Sequence, residues 1–294
     1  MTKLSDTFLI VLVAMAVMTG CRTTVRDEDI SAKTIYINYT DWTESIALTY
    51  LAAFLLEERL DYDVITKLTN VDTAFLEVSS GEADVFADAW LPFTHEEFMS
   101  RYMDDLEDLG PNYRNARTGL VVPVYVNAES ITDLKDWYKK PIIGIDSSAG
   151  IMQNTYRAIE SYGLDIILLE LSDAEMSERV EEAIKRREPV VFTGWEPHWL
   201  FYRYDLKYLD DPHGVFMEKE QIHTLARKGF SSDHPRAAKF FERMILSEDQ
   251  INELIYEVYL SRHPIEGIKE WTGKNEFTVN QWVRGLRPER EKIM

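Results

Sequence analysis

The segment Ala83-Asp84-Val85-Phe86-Ala87-Asp88-Ala89-Trp90-Leu91-Pro92 reads as a short strand, Ala83 to Ala89, that delivers a tryptophan to a proline turn. Two other strand-like runs end the same way. Thr34 to Tyr39 leads into Tyr39-Thr40-Asp41-Trp42-Thr43-Glu44, and Pro189 to Thr193 leads into Gly194-Trp195-Glu196-Pro197-His198-Trp199. In an open α/β sheet, ligands sit outside the carboxyl ends of the strands, so indoles carried at three such ends can converge on one cleft. One tryptophan in this setting is more often a packed aromatic than a ligand contact. Three in the same setting point to a site.

Around these strands the chain alternates apolar runs with amphipathic stretches, which argues for α/β lobes with parallel strands. Ser45 to Leu60 is a helix with Ile46, Leu48, Leu51, Ala52, Leu55 and Leu56 on its apolar face. Tyr62 to Leu68 is a strand, and Thr73 to Ser80 is a short helix ended by Gly81. A second set follows Leu120 to Val126, whose Pro123 suits a crossover between lobes. It comprises a strand at Pro141 to Asp146, a helix at Gly150 to Tyr162, a strand at Ile166 to Leu171 and a helix at Asp173 to Arg187. Beyond Tyr204 to Leu209, Gln221 to Ala226 is a return strand, and Pro235 to Leu246 and Glu248 to Tyr259 are helical. The expected fold is α/β with two lobes joined by two crossovers. Lobe I takes residues 34–121 and 225–286, lobe II takes 122–224, and each is a mostly parallel sheet flanked by helices.

The N-terminus has the form of an export signal: Lys3, an apolar stretch from Phe8 to Val17, then Met18-Thr19-Gly20-Cys21. The apolar run is well short of the roughly twenty residues that span a bilayer. Residues 1–20 are therefore expected to be a lipoprotein signal peptide, Cys21 the lipid attachment point and 21–33 a tether, which places the protein outside the cytoplasm on a membrane surface. Cys21 is the only cysteine, so intramolecular disulfides are excluded. Fifty-one acidic against thirty-two basic residues give a net charge of −19. A surface so negative repels phosphate backbones, and nucleic acid is excluded as a partner.

The three tryptophans define a chemistry. Ring faces attract cations, and quaternary ammonium groups are the usual guests of aromatic cages; three indoles together could supply on the order of 6 kcal/mol. A trimethylammonium group has no N–H to donate, so ring faces select it better than a carboxylate-lined pocket does. Asp146-Ser147-Ser148-Ala149-Gly150-Ile151-Met152 lies where a strand gives way to a helix. Free amides and the positive helix end suit a carboxylate there, with Gly150 and Ile151 as first donors. A plain helix cap by Ser147 or Ser148 is an equal reading. His95 and His198 are candidate donors to the same carboxylate. The chain lacks the spacing of a histidine metal site and shows no nucleophile elbow, phosphate loop or dinucleotide fingerprint, so no metal, cofactor or catalytic residue is assigned.

With these motifs together the chain resembles the glycine betaine and proline betaine substrate-binding proteins of osmoprotectant ABC transporters. The resemblance runs from about Thr34 to about Leu260, in the order of halves used by one branch of this circularly permuted family. It rests on Asp41-Trp42-Thr43-Glu44, Asp88-Ala89-Trp90-Leu91-Pro92 with Thr94-His95, Gly144-Ile145-Asp146 through Gly150-Ile151-Met152, Thr193-Gly194-Trp195 with Pro197-His198-Trp199, and Lys207-Tyr208-Leu209-Asp210-Asp211-Pro212. It implies a two-lobe, type II periplasmic-binding-protein fold that closes on ligand. It also implies a cage of Trp42, Trp90 and Trp195 for the ammonium, with Gly150, Ile151 and His95 on the carboxylate and His198 and Asp146 behind them. The implied partners are a betaine and an ABC permease. Two departures stand out: Ser147-Ser148-Ala149 is poorer in glycine than in relatives, and Phe93 and Glu196 replace smaller or polar residues and could alter selectivity among betaine, choline and carnitine. A ligand sensor with the same cage and a lipoprotein hydrolase using His95 or His198 as base are the competing readings.

Overall fold

The computed structural model describes residues 33–216 and 219–287. Cys21, the signal segment and all of the tether but its last residue lie outside the described residues. The chain opens with β1 (Thr34–Tyr39), α1 (Thr43–Leu60), β2 (Asp63–Leu68), α2 (Val71–Ser80), β3 (Val85–Leu91) and α3 (Glu96–Tyr102). Local chemistry fixes the boundaries. Asn70 caps α2 by accepting the Thr73 amide at 2.9 Å, and Gly81 ends it with φ of 81°, a conformation only glycine adopts freely. β1 and β3 pair in parallel, with Ile37 opposite Val85. All seven residues of β3 are buried.

The chain then crosses on β4 (Leu106–Pro123), eighteen residues long, or about 60 Å at strand spacing. After α4 (Leu134–Trp137) come β5 (Ile142–Ile143), α5 (Gly150–Tyr162), β6 (Leu168–Leu169), α6 (Asp173–Lys185), β7 (Phe192–Glu196), α7 (Trp199–Arg203) and β8 (Leu206–Tyr208). β9 (Glu220–Arg227) returns, and α8 (Phe230–Asp233), α9 (Pro235–Arg243), α10 (Glu248–Leu260), α11 (Pro264–Lys274) and α12 (Glu276–Trp282) complete the described chain. Ser172 with Glu175 and Ser247 with Gln250 form reciprocal capping boxes that start α6 and α10.

The strand order is β2-β1-β3-β9-β4-β7-β5-β6, with β8 also on β4. Residues 106–116 of β4 pair with β9, and residues 117–123 pair with β7 and β8. One strand therefore belongs to both halves of the sheet. Register shifts between Asp108 and Ala116 bend it on the way. The halves are mixed rather than mostly parallel: β5 pairs in parallel with β6 and β7, but β3–β9, β4–β9, β4–β7 and β4–β8 are antiparallel. The reason is connectivity. β4 and β9 carry the chain between halves without a helical crossover, and such strands are free to pair antiparallel. Among the described residues, no helix is long and apolar enough to cross a membrane.

Candidate functional site

β1, β3 and β7 each release a tryptophan at or just beyond the carboxyl end. Trp42 precedes the first turn of α1, Trp90 is the penultimate residue of β3, and Trp195 is the penultimate residue of β7. All three line one cavity with Glu44, Thr94, His95, Thr118, Ile145, Ala149, Gly150 and Ile151. The atom-free space there is about 280 Å³, part of it open to solvent.

Each indole is held from behind by a carboxylate. Trp42 Nε1 donates to Asp146 Oδ2 at 3.2 Å, Trp90 Nε1 to Asp88 Oδ1 at 2.9 Å and Trp195 Nε1 to Glu44 Oε2 at 2.8 Å. These bonds fix the ring planes. Two of the bonds also tie residues of the first sheet half to residues of the second. Burial, reinforced by their mutual repulsion, pushes the Glu44 carboxyl well above the usual carboxylate range, and burial raises its neighbour Asp88.

His95 shows its tautomer through its partner. Its Nδ1 accepts the Trp90 amide at 3.0 Å, so in the neutral ring the proton sits on Nε2. Burial pulls its pKa down to about 3, which keeps the ring neutral. Nε2 is buried and has no hydrogen-bond partner. A buried donor without an acceptor costs about 1–3 kcal/mol, and here it belongs to a cavity-lining residue.

The start of α5 supplies the other donors. Ala149 occupies the cap position with no side-chain cap bond. Ser148 turns back instead, its amide and hydroxyl both donating to Asp146 Oδ1. Ser148 is thereby not the cap, and the Gly150 and Ile151 amides open the helix as first-turn donors. Gly150 is required by close approach: a Cβ there would lie 2.5 Å from both the carbonyl oxygen and Cγ2 of Thr94. Thr94 cannot easily retreat, because Glu220 accepts its amide at 2.7 Å, its hydroxyl, and the Phe93 amide at 3.2 Å.

The structure thus gathers six sequence-singled residues, Trp42, Trp90, Trp195, His95, Gly150 and Ile151, at one cavity, with Asp146 directly behind Trp42. His198 stands outside the lining. Its Nδ1 accepts the Leu200 amide at 3.1 Å and its Nε2 faces Asp173 Oδ1 at 3.0 Å, while its ring meets Trp195 edge-on at 4.6 Å. Phe93 and Glu196 are also absent from the lining. Sequence reasoning gave no role to Glu44, Asp88 or Thr118. The first two had a signal, a carboxylate two residues from a site tryptophan; Thr118 had none, since it lies in the part of β4 that did not read as strand.

An aromatic cavity between two sheet halves, with first-turn donors at a helix start, is the architecture of a substrate-binding protein. The chain belongs to the family described as the substrate binding domain of ABC-type glycine betaine transport systems, which it matches over residues 33–274. It is similar to lactococcal OpuAC, solved closed with glycine betaine, at 33% identity and TM-score 0.81 over 86% of this chain and 100% of that one. It is also similar to the glycine/betaine/L-proline-binding protein ProX from Borrelia burgdorferi, at 31% identity and TM-score 0.80 over 87% and 97% of the two chains. The glycine betaine/carnitine transport binding protein GbuC of Listeria monocytogenes is 38% identical over 157 residues, 52% of each chain, so that match spans about half of the relative's length. The fold is the two-lobe, type II periplasmic-binding-protein fold with its ligand cleft between the lobes.

Proposed function

We propose that this protein captures glycine betaine or a related quaternary ammonium osmolyte outside the cytoplasm and presents it to an ABC permease. In this reading Trp42, Trp90 and Trp195 enclose the ammonium, and the Gly150 and Ile151 amides with His95 Nε2 hold the carboxylate. One observation carries it: the same cavity presents three carboxylate-anchored indoles and, at a helix start, two first-turn amides and a buried, unpartnered imidazole N–H. Neither half alone specifies a zwitterion, and both together do. The lobes, 34–121 with 225–286 and 122–224, close over the ligand on the β4 and β9 connections. Cys21 anchors the mature protein through lipid, with residues 22–33 as its tether.

Binding, not turnover, suits the histidines. His198, Asp173 and Thr43 superficially form a triad, with Thr43 Oγ1 at 3.4 Å from His198 Nε2. Yet the Thr43 hydroxyl donates to Asp173 Oδ2 at 2.6 Å, and His198 Nδ1 is engaged by Leu200. His95 has its only basic nitrogen occupied by the Trp90 amide. Neither His95 nor His198 is left with a free base facing a hydroxyl. Calorimetric titration with glycine betaine, proline betaine, carnitine and choline, followed by mass analysis, tests the reading. A saturable betaine heat with unchanged ligand supports it; no binding to any of the four, or conversion of the ligand, overturns it.

A further inference from the structure

The carboxyls of Glu44 and Asp88 are buried titratable groups whose charge this binding scheme leaves without a task. Glu44 lines the cavity itself and is 1% exposed, and Asp88, equally buried, keeps Oδ2 without any partner. Each orients one tryptophan through a single oxygen. The groups that face them are few. Around Glu44 these are Asp88 on β3, Asp173 on α6 and the Trp195 N–H on β7. Around Asp88 they are the Trp90 N–H and the Ser45 hydroxyl of α1. His198 Nε2 meets Asp173 Oδ1 at 3.0 Å. Among the described residues, no lysine or arginine is one of the groups that face the pair. Two buried carboxyls whose charges repel do not both ionise in such surroundings, so the empty cage keeps a proton on one of the two.

Resting on the betaine-binding reading, we propose that Glu44 and Asp88 are the counter-ion of the cage. The ammonium of the ligand takes the place of a proton held by the pair. A carboxyl O–H bond breaks, the proton passes to solvent, and the quaternary nitrogen, which has no proton to give, supplies the positive charge. The site then demands charge as well as shape. A ligand of the same form with a neutral head finds a protonated pair, releases nothing and leaves the carboxyls without compensation.

The test uses wild-type protein, glycine betaine and its neutral-headed isostere 3,3-dimethylbutanoate, titrated at pH 7 in phosphate and in Tris. The difference in heat between buffers counts protons. Glycine betaine should release a clear fraction of a proton, up to about one, and its affinity should rise from pH 6 to 8 by at most about tenfold per unit. Dimethylbutanoate should bind far more weakly and release none. Glu44→Gln should narrow the affinity ratio of the two ligands about tenfold and reduce the proton count; loss of packing alone would weaken both ligands and keep the ratio. Betaine binding with no proton release in wild type overturns this inference and leaves the function standing. Absence of betaine binding in wild type overturns the function itself. The wild-type arm decides even if the variant fails to fold.

Discussion

Replacing Gly150 with alanine leaves every proposed donor in place and adds one methyl group at the contact between the two sheet halves. The new Cβ would sit 2.5 Å from the Thr94 carbonyl oxygen and 2.5 Å from its Cγ2, whereas such pairs rest near 3.5 Å or beyond, so the loop must yield by about 1 Å. The methyl could swing away, but the carbonyl is backbone, and Glu220 pins the same residue through its amide and hydroxyl. Overpacking of this kind costs about 1–3 kcal/mol, which is roughly five- to 150-fold in affinity. Because the clash lies across the ligand cleft, the loss should fall on binding rather than on the melting temperature of the ligand-free protein. Gly273→Ala in α11 is the control, since nothing lies within 4 Å of a Cβ there. Calorimetric titration with glycine betaine gives the affinity and a thermal melt gives the stability. Wild-type affinity in Gly150→Ala would refute the idea that Thr94 and the start of α5 must meet for binding.

Trp42→Ala, Trp90→Ala and Trp195→Ala should each weaken betaine binding by about 1–3 kcal/mol, with phenylalanine costing less; a variant with unchanged titration takes that residue out of the site. Choline, which presents a hydroxyl to donors placed for an anion, should bind about a hundredfold more weakly than glycine betaine, and His95→Ala should narrow the gap. An unchanged ratio in that variant would mean that the anion donors are misassigned. Acid should act through His95 as well: its folded pKa lies below its unfolded value, so the unfolded chain binds the extra proton and stability is lost as pH falls from about 6.5 toward 3. His95→Gln should flatten that slope in urea melts between pH 7 and 4, and parallel slopes would contradict it. Cys21→Ser should move the protein from the membrane fraction to the soluble one with ligand binding intact; equal membrane retention would exclude lipid at Cys21.

Elements with strong local signals were legible from sequence. The expected helix at Gly150 to Tyr162 and strand at Thr34 to Tyr39 coincide with α5 and β1, because a glycine-led amphipathic stretch and an apolar run leave little choice. β4 was legible only in its last four residues, Leu120 to Pro123. Asp108, Gly110, Pro111 and Asn112 break the alternation, and what makes them a strand is pairing with β9, more than a hundred residues later in sequence. The strands expected at 141–146 and 166–171 shrink to two residues each, since only those meet a neighbour with ladder geometry. At the site, the tryptophans announced themselves by context and the helix start by its glycine. The carboxylates behind the rings did not, because Asp and Glu beside a turn read as ordinary solvated charge until burial is known. Likewise the orphan Nε2 of His95 follows from the Trp90 amide turning back on Nδ1, a bond that five residues of sequence do not disclose.

A crystal structure with glycine betaine decides whether the cage and the start of α5 hold one ligand between them. The account predicts the trimethylammonium carbon atoms against all three indole faces, with nitrogen within about 6 Å of each ring centroid, and the carboxylate within about 2.7–3.1 Å of the Gly150 and Ile151 amides and His95 Nε2. A ligand bound in the reverse sense, with its carboxylate among the tryptophans, or one bound outside the cavity, would contradict it.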